Sequence, residues 1–339
     1  MSAELFLEIG TEEIPARFVG PALESLSELL GKALENARIG FDAVRTLGSP
    51  RRLVAVVAGV ADSQADHESV RTGPSVQAAF DAQGQPTKAA RGFARSQGID
   101  VSDLQTVETD KGAYVAARRL ETGRPTGEVL GEILPDVILS IPFPKSMRWA
   151  DLEIRFARPI HWIAAVLGGR VLGFTVGGTA SGNQSRGNRF TSPEYFEAAG
   201  FEDYADKMKQ RGLIVDPGER REIVRAQAAK AAEEAGGRIH QDEDLLDQVT
   251  FLTESPHAIL GSFDRRYLEL PRDVLITVMK SHQKYFSVED AGGNLLPHFV
   301  TLADIRPRDP DVVARGNEKV LRARLVAVPR SSGGKSSRL

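Results

Sequence analysis

Apolar positions frame the start of this chain. Leu5, Leu7 and Ile9 alternate with the residues between them, the period of a half-buried strand. Gly10 is placed to break that strand. Thr11, Glu12 and Glu13 then offer a capping hydroxyl and negative charge where a helix dipole is positive. Phe18, Ala22, Leu26, Leu29, Ala33 and Leu34 follow at helical spacing, so the pattern predicts a strand feeding an amphipathic helix.

The same reading carries along the chain. Ala43 to Leu47 and Leu53 to Val60 are β-branched-rich and predict two strands, joined by the turn-forming Gly48-Ser-Pro-Arg-Arg52. Arg51 and Arg52 are thereby expected at a solvent-accessible hairpin tip. Ser63 to Gln85 reads as polar and turn-rich, Lys88 to Gln97 as a short basic helix and Ala113 to Arg119 as a strand. Pro125 to Ser140 predicts a helix with a kink at Pro135. Pro142 and Pro144 then force an extended segment that presents Lys145 and Arg148. Ile160 to Leu167 is apolar enough to be core, and Val171 to Val176 reads as a strand. Gly177 to Arg189 reads as a mobile loop.

Pro193 to Gln210 reads as helical. Asp216-Pro217 with Glu219 marks a helix start, and that helix should end at Gly236-Gly237. Its face is alanine-rich and charged, so light packing is expected. Glu243 to Glu254, Pro271 to His282 and Asp309 to Leu325 predict further helices. Tyr285 to Val288 and Leu295 to Leu302 predict a hairpin across Asp290-Ala-Gly-Gly-Asn294.

Composition narrows the class. The 339 residues are 41% hydrophobic and 26% charged, with a net charge of -3 and no cysteine. That excludes disulfides and cysteine-ligated zinc and fits a reducing cytoplasm. No apolar run reaches the roughly 20 residues of a membrane helix, so no membrane partner is expected. Charge is uneven: Lys145 to Phe190 holds seven basic residues against two acids, and Arg306 to the end holds nine against three. Basic segments on a mildly acidic protein can attract a polyanion locally; internal ion pairing is the other reading of each segment.

Candidate chemistry is sparse. The body of the chain has no Walker A loop, and Gly334-Lys335-Ser336 lacks the preceding glycine and the following helix. Class I and class II adenylation signatures, a Gly-x-Ser-x-Gly elbow and zinc-type histidine spacing are also missing. We therefore assign no catalytic and no metal-ligating residue. His161, inside an apolar run, reads as a hydrogen-bonded core histidine, and Asp264 and Asp304 as caps or salt-bridge partners. The candidate phosphate contacts are the turn and loop cations Arg51, Arg52, Lys145, Arg148, Arg186 and Arg189. Lys280, His282 and Lys284 join them because Tyr285 and Phe286 adjoin, and cations interleaved with aromatics suit phosphate contact plus base stacking. Burial of those aromatics in the hairpin is the alternative.

Several segments also carry a family likeness: the opening Leu5-Phe-Leu-Glu-Ile-Gly-Thr-Glu-Glu-Ile-Pro15, Ser49-Pro-Arg-Arg-Leu53, Arg71-Thr-Gly-Pro74, Ala89-Ala-Arg-Gly-Phe93, Thr109-Asp-Lys-Gly112, Ile141-Pro-Phe-Pro-Lys-Ser-Met-Arg-Trp149 and Arg158-Pro-Ile-His161. Arg186-Gly-Asn-Arg-Phe190, His282-Gln-Lys-Tyr-Phe286 and Gly316-Asn-Glu-Lys-Val-Leu-Arg-Ala-Arg-Leu325 complete the series. Each is weak alone. In this order, over residues 4 to 325, they resemble the amino-terminal portion of the bacterial glycyl-tRNA synthetase beta subunit family.

The resemblance implies an α+β, mixed multidomain fold similar to the B3/B4 region of the phenylalanyl-tRNA synthetase beta chain, where mischarged tRNA is edited. It implies an amino-terminal α/β segment over 1–62, a B3/B4-like region over 63–325 with a subdivision near 190–215, and a disordered divergent tail over 326–339. It further implies the non-adenylating subunit of a glycine–tRNA ligase: an alpha2beta2 assembly with a catalytic alpha subunit that uses ATP and Mg, and contact with tRNA(Gly). No cofactor is expected in this chain. A self-contained tRNA-editing hydrolase and a truncated structural remnant are the alternatives. Family members continue past the counterpart of Leu325 into an HD-type and an anticodon-binding domain, whereas here a Ser/Gly-rich basic sequence follows, as a truncation or frameshift would leave.

Overall fold

The computed structural model describes residues 3–327. β1 (Ala3–Thr11) runs straight through Gly10. The ring of Trp162 lies where a Gly10 Cβ would project, with ring carbons 1.8–2.4 Å from that position. The glycine thus admits a close approach rather than ending the strand. α1 (Ala16–Asn36) begins after Pro15, with no side-chain cap and no acid in its first turn. Thr11, Glu12 and Glu13 precede the helix instead of capping it. β2 (Ala43–Ser49) and β3 (Arg52–Val60) form the expected hairpin.

The stretch expected as polar turns contains β4 (His67–Ser75) and a single helical turn, α2 (Val76–Ala79). β4 shows most of its residues to solvent and pairs with one neighbour, so polar residues suffice there. α3 (Lys88–Gln97) is capped by the Thr87 side chain and ended by Gly98 at φ 71°. β5 (Gln105–Thr109) and β6 (Gly112–Glu121) complete a three-stranded sheet in the order β4-β6-β5. α4 (Thr126–Leu139) follows.

β7 (Ile160–Leu167) is the expected core strand. β8 (Arg170–Val171) and β9 (Thr175–Val176) divide the next predicted strand. β10 (Thr179–Gly182) and β11 (Gln184–Arg186) occupy much of the expected mobile loop. β12 (Tyr195–Glu197) pairs with β11, so the helix expected from Pro193 begins only at α5 (Phe201–Gln210). The main sheet runs β2-β3-β1-β7-β10-β9, with β8 beside β7. The amino-terminal 62 residues are thus hydrogen-bonded into a sheet completed by residues 160–182.

That sheet is covered on both faces. Leu5, Leu7, Ile9, Leu53, Ala55 and Val57 share a core with α1 and α4. Phe6, Val54, Val56, Ala164 and Val166 pack with Phe196, Tyr204 and Met208. β1 is therefore buried on both sides, not half-buried. Glu8 makes its outward set look solvent-facing, yet Glu8 too is inside.

α6 (Pro217–Glu234) matches the predicted span, with the Asp216 carboxylate accepting from Gly218 N and Glu219 N. β13 (Arg238–Ile239), α7 (Glu243–Thr250) and β14 (His257–Ser262) follow. Then come α8 (Arg272–Val278), a π-helical turn over Met279–Gln283, β15 (Phe286–Glu289), β16 (Leu295–Ala303) and α9 (Pro310–Val326). The four strands order as β13-β15-β16-β14. Val224, Ala228, Ala231 and Ala232 of α6 pack with α7 and with Phe286, Val288 and Val300. The alanine face is closely packed because small side chains let the helix approach the sheet. Leu321 and Leu325 of α9 join Tyr285 and Phe299 in a second core. Val326 still belongs to α9, and the tail expected to be disordered lies, from residue 328 on, outside the described residues.

Among the described residues the fold is α+β with several sheets, and none of its helices is long and apolar enough to cross a membrane.

Candidate nucleic-acid interface

The hairpin between β2 and β3 does not end in solvent. Arg51 is 6% exposed and Arg52 0%, against the expectation that both stand free at a tip. Arg52 Nε donates to Glu254 Oε1 at 2.7 Å, and its Nη1 donates to Glu8 Oε1 at 3.0 Å and to the Arg186 carbonyl at 2.9 Å. Tyr204 Oη and Trp162 Nε1 donate to the two Glu8 oxygens at 2.8 and 2.9 Å. Ser49 Oγ donates to Glu254. Six segments, β1, the β2–β3 hairpin, β7, β11, α5 and the stretch after α7, are thereby tied at one point.

The charges of Arg52, Glu8 and Glu254 compensate one another, whereas Nε and Nη1 of the neighbouring Arg51 are buried without a hydrogen-bond partner among the described residues. Burial alone would raise the Glu254 carboxyl, but Arg52 and the hydrogen bonds from Arg52 and Ser49 hold it below the usual carboxylate range. Burial would likewise lower the Arg52 guanidinium, and Glu254 and Glu8 among its neighbours reverse that. Arg51 sits over the Trp162 ring at 5.8 Å and is lowered by burial. A turn sequence does not keep Arg52 outside when the buried carboxylates Glu8 and Glu254 from other segments meet it.

A second buried arginine escaped sequence reasoning. Arg220 of α6 donates to the carbonyls of Thr250, Ile214 and Gly48 at 2.7, 2.5 and 2.7 Å. Desolvation lowers its pKa to about 10, so it stays charged at neutral pH. It stitches α6 and α7 to the hairpin. The fork of donors that matches several carbonyls is specific to arginine, but nothing at the level of residue spacing shows which carbonyls will converge.

The remaining candidates separate by exposure. Lys145 and Arg148 stand exposed, as expected, with no ion pair to another described residue. Arg189 is exposed but held by Glu12 at 3.0 Å and Glu13 at 2.6 Å. Arg186 is half-buried and donates to the Pro193 carbonyl at 2.8 Å. Lys280 pairs with Asp242 at 2.8 Å, and that hydrogen bond raises its pKa. Lys284 is half-buried in the left-handed region at φ 58°. The His282 side chain lies outside the described part of the structure.

Tyr285 and Phe286 are buried in their hairpin, so the stacking surface expected beside Lys280 and Lys284 is not there. His161 is exposed, 3.5 Å from Glu12, rather than in the core. Neighbouring positions on β7 face opposite sides, so an apolar run can still turn a histidine outward. Asp264 caps the turn Arg265–Glu269, as expected; Asp304 is neither a helix cap nor in a salt bridge among the described residues, and instead receives the backbone N–H groups of Glu254 and Ser255. Burial raises Asp304 to about 6.

The structure also exposes individual cations of the carboxy-terminal basic segment. Arg306, Arg308, Arg315, Lys319, Arg322 and Arg324 are all exposed and have no ion pair with another described residue. Arg315, Lys319 and Arg322 recur at i, i+4 and i+7 along α9, which puts them on one face. That spacing was readable in the sequence.

The arrangement is that of a structural scaffold carrying surface cations, with its buried ionic chemistry committed to cohesion. The model of a family described as glycyl-tRNA synthetase beta subunit matches residues 5–327. The chain is 54% identical over 325 residues to the glycine–tRNA ligase beta subunits of Syntrophotalea carbinolica and of Trichlorobacter lovleyi, covering 96% of this chain and 47% of each relative. It is 52% identical over 322 residues to that of Geobacter metallireducens, covering 95% of this chain and 47% of the relative. The chain belongs to the glycyl-tRNA synthetase beta subunit family. It spans about half the length of the curated relatives it matches.

Proposed function

We propose that this chain serves as the beta-subunit portion of a cytoplasmic alpha2beta2 glycine–tRNA ligase, where it holds tRNA(Gly) and assembles with the alpha subunit. ATP and Mg are used by the alpha subunit, and this chain supplies no adenylation site. The observation that carries the reading is the family match over residues 5–327. The likeness to the B3/B4 region of the phenylalanyl-tRNA synthetase beta chain is part of the same proposal.

The RNA-facing groups of this reading are exposed cations with no ion pair among the described residues: Lys145 and Arg148 before β7, and Arg315, Lys319 and Arg322 on α9. Cationic contacts to phosphate release counterions, so affinity falls with salt on a log–log line whose slope scales with their number. Replacing Lys145 and Arg148 with glutamine should flatten that line for tRNA(Gly) by about 1.4 to 1.8, given roughly 0.7 to 0.9 per contact. The melting temperature should not change. An unchanged slope in a folded double variant removes these two residues from the interface.

A further inference from the structure

The exposed aromatic groups of this chain point to a contact that cations alone would not make. The β11–β12 hairpin carries Phe190 at 69% exposure and Tyr195 at 49%. Each has an arginine over its ring: Arg189 at 4.8 Å from the Phe190 centroid and Arg186 at 5.4 Å from that of Tyr195. An aromatic beside a guanidinium offers a flat, polarisable platform.

Tyr195 borders an open cavity of about 370 Å³, whose lining includes His161, Ser181, Asn183 and Gln184. That volume falls in the roughly 300–1,000 Å³ range of small-ligand sites. Ser181 Oγ is already spent on the carbonyls of Leu172 and Phe174. The side-chain amides of Asn183 and Gln184 have no hydrogen bond to another described residue. An amide presents a donor and an acceptor together, the pair that the edge of a nucleobase requires.

We propose that this cavity seats one unpaired nucleotide of a single-stranded RNA, its base stacked on Tyr195 and its edge met by Asn183 and Gln184. The proposal rests on the RNA-binding reading above and adds the kind of RNA and the place. Electrostatics are a minor part of this seat, because Arg189 is neutralised by Glu12 and Glu13 and Arg186 is committed to the Pro193 carbonyl. Stacking must carry the contact, and that gives it a signature unlike that of Lys145 and Arg148.

The test measures anisotropy of a labelled eight-nucleotide single-stranded RNA and of an RNA duplex, with the 339-residue chain and its Tyr195→Ala and Tyr195→Phe variants, across salt concentrations. Tyr195→Ala should weaken single-strand binding on the order of tenfold at every salt concentration, without changing the slope. Tyr195→Phe keeps the ring and should bind as the parent does, and duplex binding should not respond to either change. Unchanged single-strand affinity in Tyr195→Ala overturns the proposal, as do equal losses for single strand and duplex or equal losses in the two variants. A parent chain that holds tRNA(Gly) but no single strand sinks only this seat; one that holds neither sinks the RNA-binding reading too.

Discussion

Two groups of cations in this chain share their chemistry and differ in their surroundings. Arg52 and Arg220 are fully enclosed, the first by carboxylates and the second by main-chain carbonyls. Lys145, Arg148, Arg315, Lys319 and Arg322 are exposed and have no ion pair with an acid among the described residues. Arg52 lies in a Gly-Ser-Pro turn and Lys145 in a Pro-Phe-Pro segment, which are equally polite invitations to solvent by local rules. The difference is made by Glu8 and Glu254, which reach the hairpin from 44 and 202 residues away along the chain. Whether a cation is enclosed here is set by the acceptors that other segments bring to it, carboxylates for Arg52 and carbonyls for Arg220, and not by the local sequence that carries it.

The sharpest way to break that comparison is to remove the enclosed charge. Arg52→Met leaves Glu8 and Glu254 buried without their counter-ion and should cost about 3–5 kcal/mol in denaturant-induced unfolding. Adding Glu8→Gln and Glu254→Gln should recover most of the loss, because the uncompensated charges then go as well. A single variant as stable as the parent would show that the knot does not hold the sheet to α5 and α7. Arg220→Lys should cost about 2 kcal/mol by the same measurement, since a lysine cannot serve three carbonyls in one plane. A neutral result would mean that charge alone is needed there and the fork is not.

The smallest effect sharpens the comparison through pH. Asp304, raised to about 6, binds its proton more tightly folded than unfolded, where a carboxyl titrates near about 4. Its contribution is therefore greatest below about pH 4 and is lost as pH rises through about 6. Glu254 works in the opposite sense: held low, it stabilises above its unfolded value, and that is lost as pH falls through its folded one. Asp304→Asn should remove the first trend and leave the second, adding about 1 kcal/mol at pH 7 in a stability–pH profile. A profile that keeps its decline between pH 4 and 6 would assign that decline to another group.

Much of the architecture was legible because local rules and tertiary structure agreed. Asp216-Pro217 starts α6 where capping chemistry requires, Thr87 and Gly98 bracket α3, and Asp290 to Asn294 turns the β15–β16 hairpin. These signals act within a few residues, so the surrounding fold has little power to overrule them. The strands missed in sequence, β4, β5, β10, β11, β12, β13 and β14, are short or solvent-facing except β14, whose six residues are partly buried against β16. Their pairing partners supply what their own composition does not.

The candidate interface divides along the same line. The sequence by itself determined that the chain is basic around residues 145–190 and beyond 306, that Lys145 and Arg148 would be presented, and which family its ordered motifs resemble. Only the tertiary structure decided that Arg51 and Arg52 are interior, that Tyr285 and Phe286 are core, and that Phe190 and Tyr195 stand open beside a cavity. The physical reason is range. Turn, cap and helix preferences are settled over one to four neighbours, whereas the burial of a charge such as Arg52 depends on groups 44 and 202 residues away along the chain that only the folded protein brings into hydrogen-bond distance.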